Sequence, residues 1–137
     1  MFGCSVCVAN AAFALEFANR LASKGSKIKS LVADPGYAST SLNSNSSCIS
    51  SGMSKYLESK GQSAKDGCMP IAIAAFGEDA KSGDMYIPLN VSKGVPVKSI
   101  EAGVPVKAGT EKDACNKENM ELVWNACEQG LSMTFTV

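Results

Sequence analysis

Residues 6–35 are the stretch that most constrains the fold, because they predict a buried helix, a tight turn and a buried strand in succession. Apolar residues recur over residues 6–21 at helical spacing, with alanines between them, which is typical of a helix buried on much of its surface. Gly25 can adopt the left-handed conformation that ends such a helix. The apolar segment over residues 28–33 then stops at Pro35-Gly36. This order of elements indicates an α/β fold.

A polar segment follows that strand and predicts a ligand-binding loop. Residues 38–55 are rich in serine and contain few apolar residues, so we expect a loop or lid there. Small hydroxyl side chains and backbone amides beyond the carboxyl end of a strand suit a bound ligand. A short helix is predicted over residues 53–59.

Another helix and a second strand are predicted further along the chain. Residues 63–76 have helical character, with Ser63 as a candidate N-cap and Pro70 expected to kink or delay the regular part. Residues 85–87 predict a short strand that Pro88 closes. The pattern therefore repeats a helix followed by a buried strand.

The remainder of the chain predicts a tail and a closing helix. The pentapeptide Gly-Val-Pro-Val-Lys occurs at residues 94–98 and again at residues 103–107. Because proline is tolerated at sheet edges, we expect two extended edge segments within an otherwise irregular tail over residues 90–110. Residues 111–131 carry apolar side chains at helical spacing and predict the closing helix.

Two strands are too few for a self-sufficient sheet. Strands that alternate with helices predict a parallel sheet, yet two parallel strands leave both faces and both edges to be covered. Residues 1–137 are therefore expected to form one partial domain that belongs to a larger α/β fold.

Composition and charge argue against several classes of function. Thirteen basic and thirteen acidic residues give a formal net charge of zero, so we expect no binding to nucleic acid. The chain contains no histidine, which excludes histidine triads and leaves no expected metal site. Its apolar runs are too short to span a membrane, and its first residues lack the basic region of a signal peptide. Six scattered cysteines then predict a soluble protein of the cytoplasm or an organelle stroma.

Two stretches of the sequence resemble one family of enzymes. Residues 10–40 read NAAFALEFANRLASKGSKIKSLVADPGYAST, and residues 66–88 read DGCMPIAIAAFGEDAKSGDMYIP. The order of helix, Pro-Gly loop, helix and Gly-Asp strand resembles the carboxyl-terminal half of the short-chain dehydrogenase/reductases, especially the retinol dehydrogenase and protochlorophyllide reductase-like group. The resemblance covers roughly residues 9–130. It implies part of a Rossmann-like, doubly wound parallel sheet and an NAD(P)-dependent oxidoreduction of a carbonyl or alcohol on an apolar small-molecule substrate.

The resemblance also implies which residues contact the cofactor. In this family the Pro-Gly turn lies beside the nicotinamide of NAD or NADP, so Pro35 and Gly36 would line the ring pocket. The backbone of Ala38 would meet the carboxamide, and the hydroxyl of Thr40 would donate a hydrogen bond to it. Glycine permits the close backbone approach that this arrangement requires. The residues implied on the substrate side are Tyr37, Met53, Tyr56 and Leu57.

The catalytic residues of the family have no counterpart where they are expected. The family uses a tyrosine and a lysine four residues later, which would stand just before Asn10. A gap-free alignment places Gly3 and Cys7 there, and one insertion places Phe2 and Val6 there instead. None of these side chains is a phenol or an ammonium group. Because the glycine-rich phosphate loop is also absent, we expect an inactive partial sequence with no catalytic residue of its own.

Two other classes of function remain open. Cys4 and Cys7 form a Cys-x-x-Cys pair at a helix start, where the helix dipole lowers the pKa of a thiol and favours redox exchange. A pair of half-buried structural thiols is the plainer interpretation. The helix over residues 6–21 would instead contact a second subunit, as the equivalent helix often does in the family, if the chain were a non-catalytic interaction protein.

Overall fold

The helices of the protein follow largely from local signals in the sequence. A computed structural model describes residues 5–39, 55, 59, 61–106 and 111–136. The helices with described bounds are α1 (Ser5–Ser23), α2 (Ala64–Gly67), α3 (Met69–Phe76), α4 (Glu111–Ala114) and α5 (Lys117–Leu131). Within these residues, no helix combines the length and the apolar character needed to cross a membrane. Helix α1 confirms the first predicted helix.

Capping residues set the ends of two helices as predicted. Gly25 adopts a φ of +65°, and the amide of Ser26 donates to the carbonyl of Leu21 at 3.0 Å. Helix α1 therefore ends in a left-handed glycine turn. At the start of α2, the hydroxyl of Ser63 accepts a hydrogen bond from the amide of Asp66 at 3.0 Å. This is the N-cap that the sequence indicates.

Two predicted helices are interrupted in the structure. Cys68 separates α2 from α3, and Pro70 stands in the first turn of α3, where a missing N–H removes no helical hydrogen bond. The closing helix is divided into α4 and α5. Asn116 causes this break, because its side chain accepts hydrogen bonds from two amides in the first turn of α5 and so starts a new helix.

One four-stranded sheet runs through the described residues. Its strands are β1 (Val32–Ala33), β2 (Met85–Pro88), β3 (Pro96–Glu101) and β4 (Val104–Pro105), in the order β1-β2-β3-β4. β1 pairs parallel to β2, with Val32 opposite Met85, whereas β2, β3 and β4 pair antiparallel. The expectation of a parallel sheet therefore holds for the first pair alone. Short connections cannot return a strand to a parallel position, so the chain after β2 runs antiparallel.

Helices cover both faces of this sheet. The larger apolar cluster lies between the sheet and helices α1, α4 and α5, and its buried residues are Ala11, Ala12, Leu15, Met85, Ile87, Ile100, Ala114 and Met120. The smaller cluster lies between the sheet and α3, and its buried residues are Ala74, Ala80 and Tyr86. Successive residues of β2 alternate between the two clusters, as the pleat of a strand requires. The fold is therefore a mixed α/β arrangement with a covered sheet.

The described part of the predicted tail, residues 90–106, is more regular than expected. The first copy of the repeated pentapeptide contributes to β3, inside the sheet, and the second copy contributes to β4, at the edge. Pro96 is the first residue of β3 and Pro105 is the last residue of β4. Strand ends and edges are the positions where the missing N–H of proline costs least. The prediction of an edge segment is thus right for the second copy and wrong for the first.

Candidate functional site

The Pro-Gly turn after β1 is held in a defined conformation. The amide of Gly36 donates to Oδ1 of Asp34 at 2.8 Å, which closes an Asx turn. Gly36 adopts a φ of +64°, in the region that favours glycine. A Cβ atom at this position would lie 2.6 Å from the carbonyl oxygen of Ser92. Both the backbone angle and the close approach of the loop after β2 therefore require glycine.

Gln62 joins this turn to the loop that follows β2. Its side-chain amide donates to the carbonyl of Pro35 at 2.6 Å and accepts from the amide of Gly94 at 3.2 Å. Its backbone amide donates to the carbonyl of Tyr37 at 2.8 Å, and its carbonyl accepts from the amide of Ser39 at 2.9 Å. Because the residue is also buried, it fixes the two loops relative to each other.

A cavity lies between α1 and the carboxyl-terminal end of β1. Its volume is about 380 Å³, which is within the range of small-molecule sites. Ala11 and Ala14 of α1 supply part of its apolar wall, and Asn10 supplies an amide. Asp34 and Pro35 bound it at the end of the strand. The turn therefore stands beside a space that can hold part of a small molecule.

The structure brings part of the predicted cofactor site together. Pro35 lines the cavity, and Gly36 follows it in the turn. Ala38 forms a parallel bridge with Gln62, and the side chain of Tyr37 is exposed. The remaining predicted contacts lie outside the described residues, together with most of the predicted loop and the short helix after it. These contacts are Thr40, Met53, Tyr56 and Leu57.

A thiol stands where the gap-free alignment expects the catalytic lysine of the family. Cys7, the counterpart of that lysine in a gap-free alignment, lines the cavity. Gly3, the counterpart of the tyrosine, lies outside the described residues. The chain does contain a Tyr-x-x-x-Lys spacing at Tyr56 and Lys60, but this pair follows the Pro-Gly turn instead of preceding it. Both of those residues also lie outside the described part of the chain.

The apolar face of α1 packs inside the chain. The ring of Phe13 stacks on Trp124 of α5 with centroids 5.0 Å apart, and Phe17 stacks on the same indole at 6.2 Å. The guanidinium of Arg20 lies 4.3 Å from that ring. Helix residues predicted to contact a second subunit are therefore used within the chain. Cys4, the first thiol of the Cys-x-x-Cys pair, lies outside the described residues.

A buried carboxylate, Asp84, organises a second polar cluster. It accepts hydrogen bonds from the amides of Lys81 at 2.9 Å and Ala102 at 2.8 Å, and the ammonium of Lys98 lies 3.0 Å away. Burial alone would raise the pKa of Asp84, but these hydrogen bonds outweigh it and lower that pKa. The hydrogen bond with Asp84 in turn raises the pKa of Lys98. The cluster is therefore a structural ion pair that ties β2 to β3.

Sequence reasoning missed two residues of the candidate site. Gln62 follows a polar loop and belongs to no motif, so nothing in the sequence marks the four hydrogen bonds that it makes. Asn10 begins one of the two family-like stretches, and that position is the signal that could have identified it. Its place on the cavity wall becomes visible once α1 is packed against β1.

Comparisons with known proteins identify no relative of this chain. No protein-family model, curated protein sequence or solved structure matches it. Across the described ranges, no three cysteine, aspartate or glutamate side chains are grouped as a metal site requires. Function is therefore inferred from the geometry of the turn and the cavity.

Replacing Gly36 with alanine is expected to destabilise the protein by about 2–3 kcal/mol, which urea unfolding at equilibrium would measure. The left-handed backbone accounts for about 1 kcal/mol, and the contact between the new methyl group and the Ser92 carbonyl accounts for the rest. Gly25→Ala is the matched control, because Gly25 has a φ of +65° but open space around its Cβ position. Equal losses of unfolding free energy in the two variants would mean that the contact with the Ser92 carbonyl does not contribute to the destabilisation.

Proposed function

We propose that the cavity beside Pro35 receives the nicotinamide end of NAD or NADP, and that the chain is the carboxyl-terminal portion of a short-chain dehydrogenase/reductase domain. One observation carries this proposal: a Pro-Gly turn that requires glycine follows a strand of a parallel pair and borders a cavity. Ligands of open α/β sheets bind beyond the carboxyl ends of such strands.

In the proposed arrangement, β1 and β2 are the last parallel strands of a doubly wound sheet, and β3 and β4 extend it in the antiparallel sense. The amides of Val32 and Asp34 donate to the carbonyls of Asp84 and Tyr86. Because alternate residues of a parallel strand bond to opposite sides, Ala33 directs its backbone groups to the outer edge of β1. A further parallel strand would pair at that edge, which supports an origin in a larger sheet.

The wall of the cavity suits a flat ring with one amide substituent. Ala11 and Ala14 have small side chains, so a ring can approach the end of β1 closely. The side-chain amide of Asn10 offers both a donor and an acceptor, which complements the carboxamide of nicotinamide. Pro35 supplies an apolar edge. These features support binding of the ring and do not distinguish NAD from NADP.

The parent reaction in this proposal is hydride transfer between nicotinamide and a carbonyl or alcohol carbon of an apolar substrate. Such a reaction needs an acid–base group within hydrogen-bond reach of the substrate oxygen. Cys7 and Asp34 are the titratable residues on the cavity wall, and neither is the phenol or the ammonium group that the family uses. We therefore expect the chain to hold the ring without completing the reaction.

Titration with nicotinamide mononucleotide, followed by amide NMR spectra, tests the proposal. The amides of Asn10, Asp34 and Gly36 are expected to show saturable shifts with a Kd on the order of millimolar, because a mononucleotide offers few contacts. The backbone amide of Asn90, which does not line this cavity, should stay unchanged.

Ala14→Leu is the decisive variant, because a leucine side chain would fill the cavity. Ala22→Leu is its control, since Ala22 lies on the same helix and is exposed. Loss of the shifts in Ala14→Leu alone would support the proposal. Shifts that persist in Ala14→Leu, or the absence of saturable shifts in the unchanged chain, would overturn it.

A further inference from the structure

A second cavity lies between the helices α2 and α3 and the loop that follows β2. Its volume is about 590 Å³, which is also within the range of small-molecule sites. Gln62, Asp66 and Met69 form one wall, and Asn90 and residues 93–96 form the other. None of these residues lines the cavity beside Pro35. The two cavities are therefore separate sites.

Polar groups on both walls of this cavity keep unused hydrogen-bonding capacity. Gln62 is only 8% exposed, and its side-chain nitrogen donates one of two N–H groups, to Pro35. In the described part of the chain, the side-chain amide of Asn90 makes no hydrogen bond and the ammonium of Lys93 makes no ion pair. All three groups can donate hydrogen bonds, so a ligand with acceptor oxygens would satisfy them.

The cavity wall carries one charged residue of each sign, Asp66 and Lys93. The carboxylate of Asp66 already accepts a hydrogen bond from the hydroxyl of Ser63 at 2.7 Å and stands in the first turn of α2. Lys93, in contrast, forms no ion pair with any described residue. A carboxylate would supply a counter-charge to Lys93 and accept from two donors at once.

Exposed apolar side chains lie beside these polar groups. Met69 is 41% exposed on one wall, and Val95 is 66% exposed beside Pro96 on the other. Covering such side chains with hydrocarbon removes apolar surface from water, which is favourable. The cavity therefore combines hydrogen-bond donors with an apolar surface.

We propose that this second cavity binds a small aliphatic carboxylate, such as a fatty acid anion of medium length. The carboxylate accepts hydrogen bonds from Lys93 and Asn90, and the hydrocarbon chain lies on Met69 and Val95. Because the site shares no lining residue with the nicotinamide cavity, each proposal can fail while the other stands.

Titration with sodium octanoate tests this proposal, with octan-1-ol and octylamine as probes of equal chain length. Amide NMR spectra are expected to show saturable shifts at Asn90, Lys93 and Gly94 with octanoate. The alcohol and the amine should bind about fivefold more weakly or worse, because neither pairs with the Lys93 ammonium. Raising the salt concentration should weaken the binding of octanoate more than the binding of octan-1-ol, since ions screen an exposed charge.

Lys93→Met removes the charge while keeping most of the side-chain length. It is expected to raise the Kd of octanoate about fivefold. Lys65→Met is the matched control, because Lys65 is an exposed lysine of α2 that does not line the cavity. The Kd of octanoate for this variant should stay within about twofold of the value for the unchanged chain. Equal binding of octanoate and octan-1-ol, equal effects of the two variants, or no saturable shift at residues 90–95 would overturn the proposal.

Discussion

Replacing Trp124 with alanine is expected to lower the free energy of unfolding by about 3–5 kcal/mol. The indole is 1% exposed and is stacked on Phe13, and Phe135 meets it edge-on with ring centroids 5.2 Å apart. Removing it leaves a cavity between α1 and α5 and breaks aromatic contacts that add to the burial term. Denaturant unfolding followed by far-ultraviolet circular dichroism would measure the loss, since that signal comes mainly from the backbone and remains after the indole is removed.

Leu122→Ala is the control on the same helix, because Leu122 is 67% exposed and should change stability by no more than about 0.5–1 kcal/mol. Trp124→Phe should fall between the two. Nε1 of Trp124 has no hydrogen-bond partner among the described residues, so losing that N–H removes no hydrogen bond. A Trp124→Ala loss as small as that of Leu122→Ala would contradict the importance of the contact between α1 and α5.

Replacing Asp84 with asparagine is expected to cost about 2–4 kcal/mol, although the side chain keeps its size. The carboxylate accepts from the backbone amides of Lys81 and Ala102, one with each of its two oxygens. Asparagine keeps one oxygen, so one of these amides would face an NH₂ group. The change also removes the negative charge beside Lys98. Urea unfolding near neutral pH would measure the difference.

The contribution of Asp84 to the free energy of unfolding should decrease at acid pH. Its pKa is lowered in the folded protein, so its contribution is fully present above the pKa of the unfolded chain and is lost as the pH falls through the folded-state pKa. The stability difference between the unchanged chain and Asp84→Asn should therefore shrink below about pH 4. The double variant Asp84→Asn with Lys98→Met should lose less free energy of unfolding than the sum of the losses of the two single variants. Strict additivity, or a difference that is constant down to acid pH, would contradict the ion pair.

Features that depend on neighbouring residues could be predicted from the sequence. Gly25 and Ser63 act on backbone groups a few residues away, so the helix ends that they set are visible in the local pattern. The Asx turn between Asp34 and Gly36 spans two residues and belongs to the same class. The strand that ends at Pro88 was also predicted, because its apolar run and its terminating residue are adjacent.

Features that join distant segments could not be predicted in the same way. Gln62 bonds to residues 27 and 32 positions away, and no motif marks such partners. Asp84 and Lys98 meet across a strand pair whose register is irregular between Met85 and Tyr86. The direction of β3 likewise depends on the short connection after β2, whereas the alternation of helices and strands favoured a parallel sheet. The spacing of apolar residues identifies a helix or a strand, but it does not identify the element that pairs or packs beside it.

The position of β1 carries a consequence for the thermodynamics of the sheet. Val32 of β1 pairs with Met85, 53 positions later, whereas Ile100 of β3 pairs with Pro105, 5 positions later. Closing a loop about ten times longer costs roughly 2 kcal/mol more in chain entropy. Packing on both faces offsets this cost, since Val32 joins the larger apolar cluster and Ala33 the smaller one. The Pro-Gly turn therefore owes its place more to helices α1 and α3 than to the pairing of its own strand.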